Sequence, residues 1–204
     1  MKITLSGLPG SGTTTVAKIL SERLNLEYIS AGIIFRRLAK ESGLSLAEFG
    51  KMAENDSEFD LMIDKRQKEV ATGKDDILVE GRLSGFMIDS DLKIWIDAPL
   101  DVRAKRISER ENIPLKEATE DIIVREACEH TRYISYYNID LKDRHIYDII
   151  IDSSKLDPHS IVDKIISALG ENPNSKYPLG KTIGHANTDG DISTSPEDQL
   201  QDMR

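Results

Sequence analysis

The chain has 204 residues, of which 39% are hydrophobic and 31% charged, which fits one globular domain with a short appendage. A formal net charge of −9 argues against general nucleic-acid binding, because an acidic surface repels a phosphate backbone, whereas a small anionic ligand needs only a few placed arginines. The single cysteine, Cys128, allows no internal disulfide, and the chain has neither a signal-peptide start nor an apolar run of roughly 18 residues, so a cytoplasmic protein without a membrane partner is expected.

Short apolar runs alternate with longer amphipathic ones. Residues 3–6 read as a buried strand, and 13–24 as a helix with Val16, Ile19, Leu20 and Leu24 on one face. Residues 26–30 form a second strand, and 32–42 a helix carrying Ile33, Ile34, Leu38 and Ala39. Stretches 44–55 and 56–73 read as two more helices, the second ending at Gly73 in a C-cap position. Residues 76–81 and 92–97 are strands and 100–110 a helix. Pro114 breaks the next stretch; 116–140 is a long helix, 147–152 the last strand and 158–169 the last helix. Strands separated by helices imply an α/β fold, a parallel sheet covered on both faces. After Gly170 large apolar residues are scarce and no period persists, so 171–204 is expected to be a disordered tail.

Directly after the first strand comes "GLPGSGTTT": Gly7, Leu8, Pro9, Gly10, Ser11, Gly12, Thr13, Thr14 and Thr15. Strand, glycine-rich turn and helix start follow in the order of a phosphate-binding loop, G-x-x-x-x-G-K-[ST]. The glycines let backbone amides curl around an anion, and the helix N-terminus adds positive partial charge. Thr14 fills the position whose hydroxyl ligates Mg²⁺. Thr13 stands where the pattern has lysine, so the charge that balances the terminal phosphates must come from elsewhere.

Arginines supply the candidates. Arg103, Arg106 and Arg110 are spaced to share one helix face, as are Arg125, Glu129 and Arg132. The polar segment between the two stripes looks like a lid. Planar, permanently charged guanidinium groups match phosphate oxygens; each stripe alone reads more readily as a solvated helix face with weak ion pairs, and the two together downstream of the loop favour a site. Glu80 ends a strand and can hold a water on Mg²⁺, while Arg82, two residues on, can reach an acceptor phosphate. Arg36 and Arg37 point about 100° apart on their helix, so only one can face a site. Tyr133, Tyr136 and Tyr137 at helical spacing read as core packing, and Cys128 and His130 carry no partner pattern.

This set of residues resembles the nucleoside monophosphate kinases, and among them the cytidylate kinases of the short archaeal type. The likeness is carried by "GLPGSGTTTVAKILSERL", "YISAGIIFRRLA", "VEGRLSGF", "LKIWIDAPLDVRAKRISER", "IVREACEHTRYISYYNID" and "YDIIIDSSKLDP", spread over residues 1–170. It implies a P-loop three-layer sandwich with a five-stranded parallel sheet, a helical monophosphate-binding part over about 32–72 and a short lid over about 110–116. It implies phosphoryl transfer from ATP to CMP, with dCMP also accepted, and Mg²⁺ as the metal on Thr14 and Glu80. Residues 7–15 match the donor-phosphate loop, Arg36 and Arg82 the acceptor-phosphate arginines, and Arg125 and Arg132 the arginines bridging acceptor and transferred phosphates. Arg106 and Arg110 match the lid side, and one of them is expected to replace the charge missing at Thr13. Glu129 stands where the family has Asp, a group linked to cytosine recognition or to orienting those arginines. The implied partners are ATP and CMP or dCMP, with no nucleic acid, and a monomer is expected. Transfer to AMP, UMP or dephospho-coenzyme A, and a nucleotide sensor without turnover, remain open on the residues alone.

Overall fold

The structure, a computed structural model, describes residues 1–44, 48–49 and 58–171. The helix expected over 44–55 lies almost wholly outside the described residues, as does the tail expected beyond 171. The strands are β1 (Lys2–Gly7), β2 (Glu27–Ser30), β3 (Ile77–Glu80), β4 (Leu92–Asp97) and β5 (Ile149–Asp152). The helices are α1 (Thr13–Leu24), α2 (Ala31–Glu41), α3 (Glu58–Ala71), α4 (Ser84–Met87), α5 (Leu100–Glu111), α6 (Leu115–Tyr137) and α7 (Pro158–Glu171).

All five strands pair in parallel, in the order β2–β3–β1–β4–β5. The central strand shows why both faces are covered. Ile3 and Leu5 point to one side and join Val16 and Leu20 of α1, Ile94 and Ile96 of β4, and Ile161 and Ile165 of α7. Thr4 and Ser6 point to the other side, where their hydroxyls meet Ser90 and Ser84 at 3.0 Å. On that side Ile77 and Val79 of β3 pack with Ile29, Ile34, Ala71 and Ile88, under α2 and α3. Alternation of side chains along each strand thus supplies a core to both helical layers. Among the described residues no helix is long and apolar enough to cross a membrane.

Helix ends explain the departures from expectation. α6 stops at Tyr137 instead of 140, because Asn138 adopts φ 53, its N–H bonding back to the Ile134 carbonyl and that of Ile139 to the Tyr133 carbonyl. Asn112 closes α5 in the same way at φ 56, so only residues 112–114 separate α5 from α6, a tight corner where a longer lid segment was expected. Gly73, at φ 79, does end the α3 segment. β5 begins two residues late because Tyr147 is held in a turn, its N–H on the Arg144 carbonyl at 3.1 Å. The α4 turn, unforeseen, is tied by Ser84 Oγ to the Gly81 carbonyl at 2.9 Å.

Tyr147 packs edge-on against the fully buried Trp95, with ring centroids 5.1 Å apart, and the Arg144 guanidinium lies over the Trp95 ring, 3.5 Å from its centroid. Burial pushes the Tyr147 phenol up to about 12, against smaller opposing pulls from Ser6 and Arg144. Because the folded pKa lies above the unfolded value near 10, this group contributes stability that is intact below pH 10 and lost as pH rises toward 12. Tyr147→Phe is expected to remove about one proton's share, roughly 1.4 kcal/mol per pH unit, from the slope of unfolding free energy between pH 10 and 12. Urea titrations of both proteins across that range check it.

Candidate active site

The site lies beyond the carboxyl ends of β1, β2 and β3, where an open parallel sheet places its ligands. The loop after β1 takes its shape from Gly10 and Gly12, at φ 80 and 94, and a Cβ on Gly10 would stand 2.7 Å from the Arg103 carbonyl oxygen. The loop therefore lies directly on α5, with no room for a larger residue. Three successive loop carbonyls are held from that side. Arg103 Nη1 donates to Pro9 O at 3.1 Å, and Arg106 Nη1 to Gly10 O and Ser11 O, each at 3.3 Å. Ser153, just past β5, donates to Ser11 O at 2.7 Å and accepts from Arg106, whose Nη2 also reaches the Ser153 carbonyl at 2.7 Å. Drawing the carbonyls outward leaves the concave side of the loop to its amides, the arrangement that binds anions.

This alters the expected role of Arg106. Both terminal nitrogens of its guanidinium are engaged with the loop and Ser153, so it braces the loop while also lining the smaller cavity, and it does not stand free as the replacement for a loop lysine. Arg110, 65% exposed, is the member of that stripe that faces open space, with its nearest partner Glu111. Arg103, only 4% exposed, is tied to Pro9, the Ala98 carbonyl and Glu126.

At the other rim, the two threonines that begin α1 meet the end of β3. Thr13 Oγ1 donates to Glu80 Oε1 at 3.0 Å, and Thr14 Oγ1 lies 3.4 Å from the same oxygen. Tyr28, on β2, donates to Glu80 Oε2 at 3.0 Å. Burial first, then the Glu80 carboxylate, push the Tyr28 phenol well above its usual value, so it stays a protonated donor. Thr13 thus replaces a cation with a hydroxyl that holds the carboxylate in place. Thr14 and Glu80 offer only hard oxygen donors side by side, which fits Mg²⁺ held by one or two protein groups and completed by phosphate oxygens. Among the described residues no group of three or more His, Cys, Asp or Glu side chains is placed to hold a metal alone.

Two cavities open on this loop. The larger, of about 640 Å³, is lined by Lys18, Arg36, Arg82, Arg110 and Arg125 against the carboxylates Asp64, Glu80 and Glu129. Two more cations than anions face a cavity in a chain of net charge −9, which is what a phosphate needs. The smaller, of about 340 Å³, lies between the loop and Ile107, Leu156, Pro158 and Ile161. Gly10, Thr13, Thr14 and Arg110 line both.

Glu129, 5% exposed, organises the larger cavity: Arg82 donates to its Oε2 and Arg125 Nε to its Oε1 at 2.9 Å. Arg36 lines the cavity and Arg37 does not, as their angular separation requires. Arg132, expected beside Arg125, is absent from the lining of both cavities: seven residues carry it almost two turns along α6, past Glu129. Three lining residues carried no motif. Gln67 donates to the Glu80 carbonyl at 2.9 Å, Asp64 accepts from Tyr137 at 3.4 Å, and Lys18 comes from α1. Only the placement of polar residues three apart on α3 hinted at the first two.

The sequence profile of the cytidylate kinase-like family matches residues 2–155. The chain belongs to that family. It is 52% identical over 171 residues to the cytidylate kinase of Methanocella arvoryzae, covering 84% of this chain and 98% of that one. It is 53% identical over 167 residues to that of Methanosarcina barkeri, covering 80% and 93%. Among solved structures, an uncharacterized protein from Eubacterium ventriosum superposes with a TM-score of 0.65 at 22% identity, covering 84% of this chain and 99% of that one. Shikimate kinase from Bacteroides thetaiotaomicron does so with 0.57 at 17%, covering 83% and 98%. These two likenesses show the fold, and it is the P-loop kinase fold expected for this family member.

Two arginines of the α5 stripe should separate experimentally. Arg106→Ala is expected to weaken ATP binding at least tenfold, the loss of charged hydrogen bonds worth about 1.5–3 kcal/mol, and to speed amide exchange in the loop. Arg110→Ala is expected to slow turnover while leaving loop exchange as it was. Calorimetry with ATP and hydrogen exchange of both variants check this pair.

Proposed function

We propose that the protein transfers the γ-phosphoryl group of ATP to CMP, and also to dCMP, releasing ADP and CDP or dCDP. The reading rests on its family membership and on relatives named cytidylate kinase that are about half identical over most of both chains. The structural observation that carries it is the pair of cavities that meet at Gly10, Thr13, Thr14 and Arg110. A donor nucleotide in the smaller cavity and an acceptor monophosphate in the larger one would bring their phosphates together at that junction, as in-line transfer requires.

The chain's groups divide the work by position. The loop amides take the donor phosphates, with Arg103, Arg106 and Ser153 keeping the loop carbonyls turned away. Arg36 and Arg82 take the acceptor phosphate, and Arg82 and Arg125 approach the transferring group from the Glu129 side. Thr14 and Glu80 would hold the Mg²⁺ that arrives with ATP, and the ion would supply neutralising charge at the donor phosphates. Arg110, next to the 112–114 corner that we assign as the lid, would close over the junction and exclude water, which limits wasteful hydrolysis of ATP. The positive charge lacking at Thr13 comes, in this reading, from arginines on the acceptor side. The protein would act as a monomer in the cytoplasm.

A coupled ADP-release assay with ATP and Mg²⁺ against CMP, dCMP, UMP, AMP, GMP and dephospho-coenzyme A tests the reading. Fast turnover with CMP, and dCMP close behind, is expected. No turnover with any acceptor, alongside clear ATP binding, would leave a nucleotide sensor in its place.

A further inference from the structure

Cytosine and uracil differ at one position of their pairing edge: cytosine presents an N4 amine that donates, uracil an O4 that accepts. A site that prefers CMP to UMP therefore needs an acceptor fixed there. Glu129 was the sequence candidate, yet each of its oxygens already holds an arginine, Arg82 or Arg125. The other carboxylates in the larger cavity are Glu80, which accepts from Thr13 and Tyr28 beside the phosphate loop, and Asp64.

Asp64 lines the larger cavity together with Arg36 and Arg82. Gln67, 3% exposed, fastens α3 to the end of β3 through the Glu80 carbonyl. A Cβ on Gly81 would stand 2.8 Å from the Gln67 amide, so helix and strand end are in close contact. Asp64 precedes Gln67 by three residues, about 4.5 Å further along the same helix face and away from the phosphate loop. Tyr137, at the end of α6, donates to Asp64 Oδ2 at 3.4 Å. Ile63 and Tyr133 line the same cavity and give it apolar surface beside the carboxylate. Apolar walls and one placed acceptor are what a planar base with an exocyclic amine requires.

We infer that Asp64 is a specificity-determining residue that accepts a hydrogen bond from the exocyclic amine of the acceptor base, with Tyr137 as the positioning residue that aims its carboxylate. The inference rests on the proposed transfer to CMP. Uracil would set O4 against the carboxylate, so UMP is disfavoured by repulsion as well as by a missing bond.

The experiment compares kcat/KM for CMP and UMP in the wild type, Asp64→Asn and Tyr137→Phe. Asparagine keeps the size of aspartate but can present its N–H₂ to uracil O4. Asp64→Asn is expected to lower the CMP:UMP ratio at least tenfold, with UMP turnover rising in absolute terms, a shift that a purely structural loss cannot produce. Tyr137→Phe is expected to lower the ratio several-fold through KM for CMP, with kcat kept. A ratio within twofold of wild type in both variants, or equal losses with both acceptors, overturns the inference while CMP transfer by the wild type stands. A wild type inactive with CMP overturns the proposed reaction, and the inference with it.

Discussion

A buried carboxylate between two guanidinium groups sets the terms for the rest of the site. Glu129 is almost inaccessible to solvent, and Arg82 and Arg125 each hold one of its oxygens, so its burial is compensated by hydrogen-bonded partners. The arrangement links three elements: Arg82 follows β3, Arg125 and Glu129 lie a turn apart on α6, and α6 spans the larger cavity. Two cations against one anion leave a surplus of positive charge, held in place before any ligand arrives. In a chain that lacks the loop lysine, preorganised arginines of this kind are, in the proposed reading, the source of charge that phosphoryl transfer requires.

The opposite wall is built on a different principle. Arg103 and Arg106 act on the backbone of the loop through its carbonyls and so decide which way the amides face. Their charge is still present near the phosphates, but their hydrogen bonds are already made. Thr13 and Tyr28 do the equivalent for Glu80, one hydroxyl on each carboxylate oxygen. A hydroxyl–carboxylate cluster thus stands where the loop pattern has lysine, and in the proposed reading the charge comes from the arginines across the larger cavity.

Much of the architecture was legible in the sequence because it depends on local pattern. Apolar runs such as "ILVE" and "KIWID" gave the strands their place, and the order strand, glycine turn, helix marked the loop. The helix ends at 112 and 138 were misjudged because an asparagine in the left-handed conformation looks, in sequence, like any other polar residue. The face shared by Arg103, Arg106 and Arg110 was correctly read from spacing, yet the three meet different surroundings: a buried tie, a brace on the loop and open solvent. Spacing gives a direction and says nothing of what stands there. The same limit hid Tyr28, which meets Glu80 across 52 residues, and Asp64, which meets Tyr137 across 73. Such pairs exist only once the sheet has set β2 beside β3 and brought α3 and α6 together.

The proposed chemistry requires that Arg82 and Glu129 act as one unit in delivering charge to the transferring phosphate. A double-mutant cycle with Arg82→Ala, Glu129→Gln and both together, read as the single-turnover rate of phosphoryl transfer with ATP and CMP saturating, tests it most directly. If the two act as a unit, the double variant should be no slower than the slower single one. Losses that multiply in the double variant would mean that the two residues work independently, and would contradict the claim.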